Sequence, residues 1–143
     1  MSDIYLVGVD GSEAAIRAAE FAAGRAATEG ASLILVHGIN WSPYQVITPD
    51  EAATRHELRE AEIAQARQQV VAPLLARLGD KVTVDVRIVH GHPAEVLAGL
   101  ANGEGAAQIF VGRHGHSQLG AALFGSVAFA LVQMAPVPIT VVP

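Results

Sequence analysis

The chain contains no cysteine, which excludes a disulfide framework, a thiolate zinc site, a cysteine nucleophile and redox chemistry through sulfur. It contains a single lysine, Lys81, preceded by Asp80 rather than glycine. A GxxxxGK[ST] loop, whose lysine reaches the phosphates, is therefore impossible. No GxGxxG occurs, and the segment Gly115-His116-Ser117-Gln118-Leu119-Gly120 misses GxSxG by one residue. The usual dinucleotide fingerprint and the serine-hydrolase elbow are both absent. Cations are scarce overall: nine Lys plus Arg face fourteen Asp plus Glu, a net charge of −5, which argues against a broad electrostatic grip on nucleic acid or anionic lipid. Long apolar runs are missing too. The longest, Ala121 to Val132, is broken by Gly125 and Ser126 and falls short of the ~18 residues a spanning helix needs, so no membrane segment is expected. The N-terminus, MSDIYLVGVD, carries Asp3 and neither a basic n-region nor a long apolar h-region. A secretory signal is not expected, and the expected address is the cytoplasm.

What is present is apolar: 51% of 143 residues are hydrophobic and 16% charged, enough for one domain over residues 1–143 with a filled core. Short β-branched runs alternate with alanine-rich helical patterns. Strands are expected at Ile4 to Val9, Ser32 to His37, Val82 to Val89, Ala107 to Val111 and Val137 to Val142. Helices are expected at Glu13 to Thr28, about Pro49 to Leu78, Ala94 to Ala101 and Ser126 to Ala135, with Gly30, Gly79 and Gly103 as C-terminal caps. This order specifies right-handed crossovers onto a mostly parallel sheet covered on both faces. Ile4 to Val9, Leu33 to Val36 and Ile109 to Val111 are near-continuous apolar runs, the mark of strands buried on both sides. Val82, Val84, Val86 and Ile88 instead alternate with Thr83, Asp85 and Arg87, which places the third strand at an edge. The strand order 3-2-1-4-5 satisfies both patterns, and its order reverses between strands 1 and 4, where a ligand would bind. Ala15, Ala18, Ala19, Ala22, Ala23, Ala26 and Ala27 give the first helix a small face for tight packing. The stretch Asn40 to Thr48 (NWSPYQVIT) shows no period and reads as a mobile loop.

Two loops flank the switch point with a shared spacing: Gly8-Val9-Asp10-Gly11 and Gly112-Arg113-His114-Gly115. Glycine lets backbone amides approach a ligand and form an anion nest. The second loop leads to Gly125-Ser126-Val127, where a helix begins with unpaired amides that suit a phosphate. Ser126 could equally cap its own helix, and the two roles are compatible. Asp10 has two readings as well, a ligand contact or an Asx-turn residue at a strand end. Arg113 and His114 put positive charge beside the glycine turn, where Arg113 could pair with phosphate or remain solvated.

The spacing Gly112-x2-Gly115-x9-Gly125-Ser126 resembles the nucleotide-binding signature of universal stress proteins. Val7 to Ser12 (VGVDGS) resembles the family's first strand and turn, Leu35-Val36-His37 its second strand, Gly91-His92-Pro93 its turn after strand 3 and Ala135 to Val142 its closing strand, so that the resemblance runs the whole length of the chain. It implies a Rossmann-like α/β fold of the adenine nucleotide alpha hydrolase type, in the ATP-binding subclass, often with a divalent ion such as Mg²⁺; the alternative ligands are AMP and cyclic AMP. Gly8, Val9 and Asp10 would hold the adenosine end, with Asp10 the ribose or metal-water partner. Gly38, Val111 and Gly112 would line the adenine pocket, and Gly115, Gly125, Ser126 and Val127 would receive ribose and phosphates. The chain departs from the family pattern at Gly38, where an apolar side chain is frequent, at Val111, where methionine is common, and at Ala107, where aspartate is usual.

The implied role is a regulatory, stress-responsive nucleotide binder with at most slow hydrolysis, since no general base or nucleophile stands out. The alternatives are an enzyme using the same cradle for ATP hydrolysis or adenylyl chemistry, with Glu13 the one nearby acid besides Asp10, and a flavodoxin-like electron carrier. The latter has little beyond Trp41, Tyr5 and Tyr44 to sandwich a flavin. His90 with His92 and His114 with His116 form pairs, but without cysteine or an adjacent carboxylate they do not make a zinc site. His37 reads as a hydrogen-bonded core residue. The ending PVPITVVP is an apolar strand at an edge, expected to pair antiparallel with its copy in a homodimer through Val137 to Val142, as the family commonly does.

Overall fold

A computed structural model describes residues 2–40, 49–115 and 125–143. Within them five strands form one parallel sheet in the order β3-β2-β1-β4-β5. The strands are β1 (Ile4–Gly8), β2 (Ser32–Ile39), β3 (Val84–His90), β4 (Gln108–Gly112) and β5 (Ile139–Val142). Their crossovers carry α1 (Glu13–Glu29), α2 (Pro49–Ala66), α3 (Ala72–Leu78), α4 (Pro93–Glu104) and α5 (Ser126–Met134). The expected topology is the observed one. No helix among the described residues is long and apolar enough to cross a membrane. The expected loop over Asn40 to Thr48 lies outside the described residues beyond Asn40.

The double-sided burial of the central strands follows from their period of two. Tyr5, Val7, Leu33, Leu35 and Phe110 point to one cluster, closed by the alanines of α1 and by Leu74 and Leu78 of α3. Leu6, Ile34, Val36, Ile109 and Val111 point to the other, closed by Leu97 and Ala101 of α4 and Leu131 of α5. Edge strand β3 is at most half-buried along its length, with Asp85 exposed on it.

Helix α1 starts where the Ser12 hydroxyl accepts the Ala15 N–H (3.2 Å) and ends at Gly30 in the left-handed region (φ 73°). Ala14, Ala15, Ala18, Ala19, Ala22 and Ala26 are its buried residues, whereas Ala27, expected on the packed face, is exposed because the helix turns it to solvent. Helix α4 extends past the expected stop at Ala101, so Gly103 lies inside it. Gly105 (φ 64°) is the cap instead, and the amides of Gly105 and Ala106 both reach back to the Ala101 carbonyl, closing the helix through a left-handed glycine.

The single helix expected from Pro49 to Leu78 is three pieces, because a π-helical turn at Arg67–Val71 separates α2 from α3. The cause is Pro73, which has no N–H to donate and whose ring collides with the carbonyl four residues back. Widening the turn, so that Ala72 N–H reaches the Arg67 carbonyl, carries the chain past the proline without a break.

Two ion-pair groups sit at the end of the sheet where the strands begin. The Tyr5 hydroxyl donates to Glu29, which also pairs with Arg25 (2.7 Å). The Glu29 bond, then burial, holds the Tyr5 pKa above its ordinary 10.0, and the same bond followed by Arg25 holds the Glu29 carboxyl low. Arg87 pairs with Asp85 and with Glu104 (3.3 Å), and its guanidinium is the main cause that lowers the Asp85 pKa.

Candidate functional site

The strand ends and helix starts meet at the opposite end of the sheet around one cavity of about 410 Å³, within the ~300–1,000 Å³ range of small-molecule sites. Gly8, Val9 and Asp10 leave β1, Gly38 lies near the end of β2, Val111 and Gly112 close β4, and Gly115 follows; Gly125, Ser126 and Val127 open α5. All ten line this cavity. Arg113 does not. It is exposed and works through its backbone, donating its N–H to the Val142 carbonyl (2.7 Å) and accepting the Gly125 N–H on its own carbonyl (2.6 Å).

The glycines are there for different reasons. A Cβ on Gly112 would stand 2.8 Å from both the carbonyl carbon and the Cβ of Ala14, so the end of β4 touches the start of α1. A Cβ on Gly38 would meet Pro93 Cα at 2.9 Å, and one on Gly8 would meet Leu97 Cδ1 at 2.8 Å. These three let elements close on each other. A Cβ on Gly115 would instead meet Asp10 Oδ2 at 2.5 Å, and one on Gly125 would lie 3.2 Å from His114 Cα and 3.3 Å from Gly115 N. The two glycine turns and the start of α5 are thus in mutual contact across the switch point.

Asp10 makes the Asx turn: its Oδ1 accepts the Ser12 N–H at 2.9 Å, while Oδ2 faces Gly115. Ser126 does not cap α5. Gly125 is the N-cap and makes no side-chain cap bond, so among the described residues these donors open toward the cavity without a side-chain partner.

Sequence reasoning missed several lining residues, His92 of the β3–α4 turn and Pro93 and Leu97 of α4 among them. The available signal was position, since that turn follows a parallel strand and so lies at the same end of the sheet. His92 caps α4 by accepting the Ala94 N–H on Nδ1 (3.3 Å), which places the ring proton on Nε2. His37, expected in the core, is half-buried and lines the cavity; its Nδ1 lies 2.7 Å from the Val9 carbonyl. A carbonyl only accepts, so that nitrogen carries the proton. His114 lines the cavity as well, and His90 lies 3.2 Å from Glu62 on α2. His116 lies outside the described residues. Among the described residues no three His, Asp or Glu side chains gather as a metal site.

A family model described as the universal stress protein family matches residues 1–143. A universal stress protein of Thermus aquaticus, named for its place in the QAH/OAS sulfhydrylase 3′ region, is 31% identical over 143 residues, covering 99% of each chain. Universal stress protein UspA from Lactobacillus plantarum shares the fold at a TM-score of 0.83 and 23% identity, over 99% of this chain and 97% of that one. A universal stress protein solved in complex with cAMP is 26% identical at a TM-score of 0.64, over 99% and 96% of the two chains.

Proposed function

Because the chain belongs to the universal stress protein family, we propose that its cavity binds an adenine nucleotide and that the protein is a regulatory, stress-responsive nucleotide binder of the cytoplasm. The observation that carries this reading is the convergence of two glycine turns and the uncapped start of α5 on Asp10. Amides without side-chain partners at a helix start favour a phosphate, and a strand-end carboxylate beside them favours a ribose hydroxyl or a hydrated ion. The relative solved with cAMP supports the base and the phosphate together. Gly115, Gly125, Ser126 and Val127 would face phosphate, Gly8, Val9 and Asp10 the ribose, and Gly38, Val111 and Gly112 the base.

ATP belongs among the ligands if Mg²⁺ accompanies it. The donor set fits Mg²⁺ only as an ion carried in by the phosphates, because Asp10 is the one carboxylate among the described lining residues and Mg²⁺ is often held by one or two carboxylates plus phosphate oxygens. Calorimetry with ATP, ADP, AMP and cyclic AMP tests the reading. Saturable binding by at least one of them is expected, and no binding by any at millimolar concentration would refute it.

The chain is proposed to act as a single domain that pairs with its copy. Edge strand β5 gives the carbonyls of Pro138 and Val142 to β4. The alternation of a parallel ladder therefore turns the N–H and C=O groups of Ile139 and Val141 toward the open edge. These are the groups an antiparallel copy would use.

A further inference from the structure

We infer that the cavity selects adenine nucleotides of low charge, those bearing one or two negative charges such as a cyclic or open monophosphate, over a metal-free triphosphate. This rests on the nucleotide reading above and adds a rule for which nucleotide. It comes from the charges around the cavity. Asp10 lines it, while no Lys or Arg does among the described residues. Arg113 is exposed and outside the lining. Residues 41–48 and 116–124 contain neither Lys nor Arg, so no permanent cation can come from those segments. Of the lining histidines, His92 accepts the Ala94 N–H on Nδ1 and His37 directs Nδ1 at the Val9 carbonyl, so both rings enter the site already held by the backbone.

The remaining positive potential comes from the starts of α1, α4 and α5, each of which supplies lining residues. A helix start is equivalent to about half a positive charge. The starts of α1 and α4 are weakened, because Glu13 and Glu95 lie in their first turns and Ser12 and His92 already satisfy an amide in each. Only α5 has neither an acid in its first turn nor a side-chain cap. Three half-charges against the Asp10 carboxylate leave roughly half a positive charge at most. That offsets about half of the single charge of a cyclic monophosphate and about a quarter of that of an open one. A triphosphate brings about four negative charges, most of them uncompensated beside Asp10 in a site of reduced dielectric. Magnesium changes the sum, since it halves the triphosphate charge and gives Asp10 a hydrated cation to face.

The experiment is calorimetry with cyclic AMP, AMP, ADP and ATP, first with a chelator and then with excess Mg²⁺, on the wild type and on Asp10→Asn. Asparagine keeps an oxygen for the Ser12 N–H, removes the charge and exchanges the second carboxylate oxygen for an amide donor. In chelator, ATP should bind at least about tenfold more weakly than cyclic AMP or AMP. Mg²⁺ should recover ATP and leave cyclic AMP unmoved, and Asp10→Asn should tighten metal-free ATP several-fold more than cyclic AMP. Metal-free ATP binding as tightly as cyclic AMP would overturn this inference and leave the nucleotide reading standing. No binding by any of the four would overturn both.

Discussion

Substituting Gly115→Ala and Gly112→Ala separates a glycine required by the site from one required by the fold. At Gly112 the new methyl would meet backbone, with Ala14 carbonyl carbon at 2.8 Å and its carbonyl oxygen at 3.0 Å. Neither can swing away, so either β4 or the start of α1 must shift. Overpacking of this kind costs about 1–3 kcal/mol, a fall of roughly 3–12 °C in Tm for a chain of this size. At Gly115 the atoms met are Asp10 Oδ2 at 2.5 Å and Asp10 Cγ at 3.7 Å, the end of a side chain that can rotate. The structural loss includes the bond from Ser12 N–H to the Asp10 carboxylate, about 1.5 kcal/mol and therefore roughly 3–6 °C.

Function should follow the reverse order. Gly115→Ala displaces the Asp10 carboxylate and narrows the approach to the turn, so its affinity for cyclic AMP should fall about tenfold or more while the fold persists, a loss of ~1.4 kcal/mol in binding. Gly112→Ala should lose stability first, with the affinity of the fraction still folded changing less. Thermal unfolding followed by circular dichroism, beside calorimetric titration of each variant, reads both quantities. If Gly115→Ala unfolds as readily as Gly112→Ala, or binds cyclic AMP like the wild type, the assignment of Gly115 to the site is wrong.

Two further outcomes are expected. The contribution of Glu29 to stability, through its lowered pKa, is present above its ordinary value of 4.5 and lost as pH falls through the lowered one, whereas that of Tyr5 is complete below 10.0 and lost as pH rises through its raised value. Glu29→Gln should flatten both limbs of the urea midpoint plotted against pH, and limbs that match the wild type would dismiss the pair as a source of stability. Val141→Pro removes an edge-facing N–H while the bonds of Pro138 and Val142 to β4 are kept, so sedimentation should move from twice 14.9 kDa to one chain; a wild type that sediments as a single chain would refute the pairing.

The strand order was legible because burial on two faces changes the period of a strand, and that change is visible residue by residue. Leu33, Ile34, Leu35 and Val36 are all buried, and neighbours in that run serve opposite clusters. Along β3, Asp85 and the half-buried valines beside it keep the alternation of an edge. Helix ends were less legible. Gly103 and Gly105 are both plausible stops by type, and the choice between them is made by which amides can reach the Ala101 carbonyl, a matter of geometry. Pro73 was visible in the sequence, but its consequence depends on packing, since a proline within a helical pattern can end it, kink it or widen a turn. His92 was read as half of a histidine pair because Ser, Thr, Asp and Asn dominate the N-cap position it occupies.

At the site itself the limit is that one spacing records two constraints. Gly112, Gly115 and Gly125 form a single motif on paper, yet Gly112 is excluded from bearing a side chain by Ala14 of α1, Gly115 by a carboxylate, and Gly125 by the turn it closes. Gly38 shows the same ambiguity from the other direction. Where the family often places an apolar side chain, this chain has none, and the space is filled by Pro93 at the start of α4. The wall that such a side chain would form therefore comes from α4 and its cap, through His92, Pro93 and Leu97. A motif lists the residues at which a Cβ is forbidden, and the neighbours of each absent Cβ tell which prohibitions belong to a ligand. By that criterion Gly115, aimed at Asp10, is the position where loss of binding and retention of the fold should coincide.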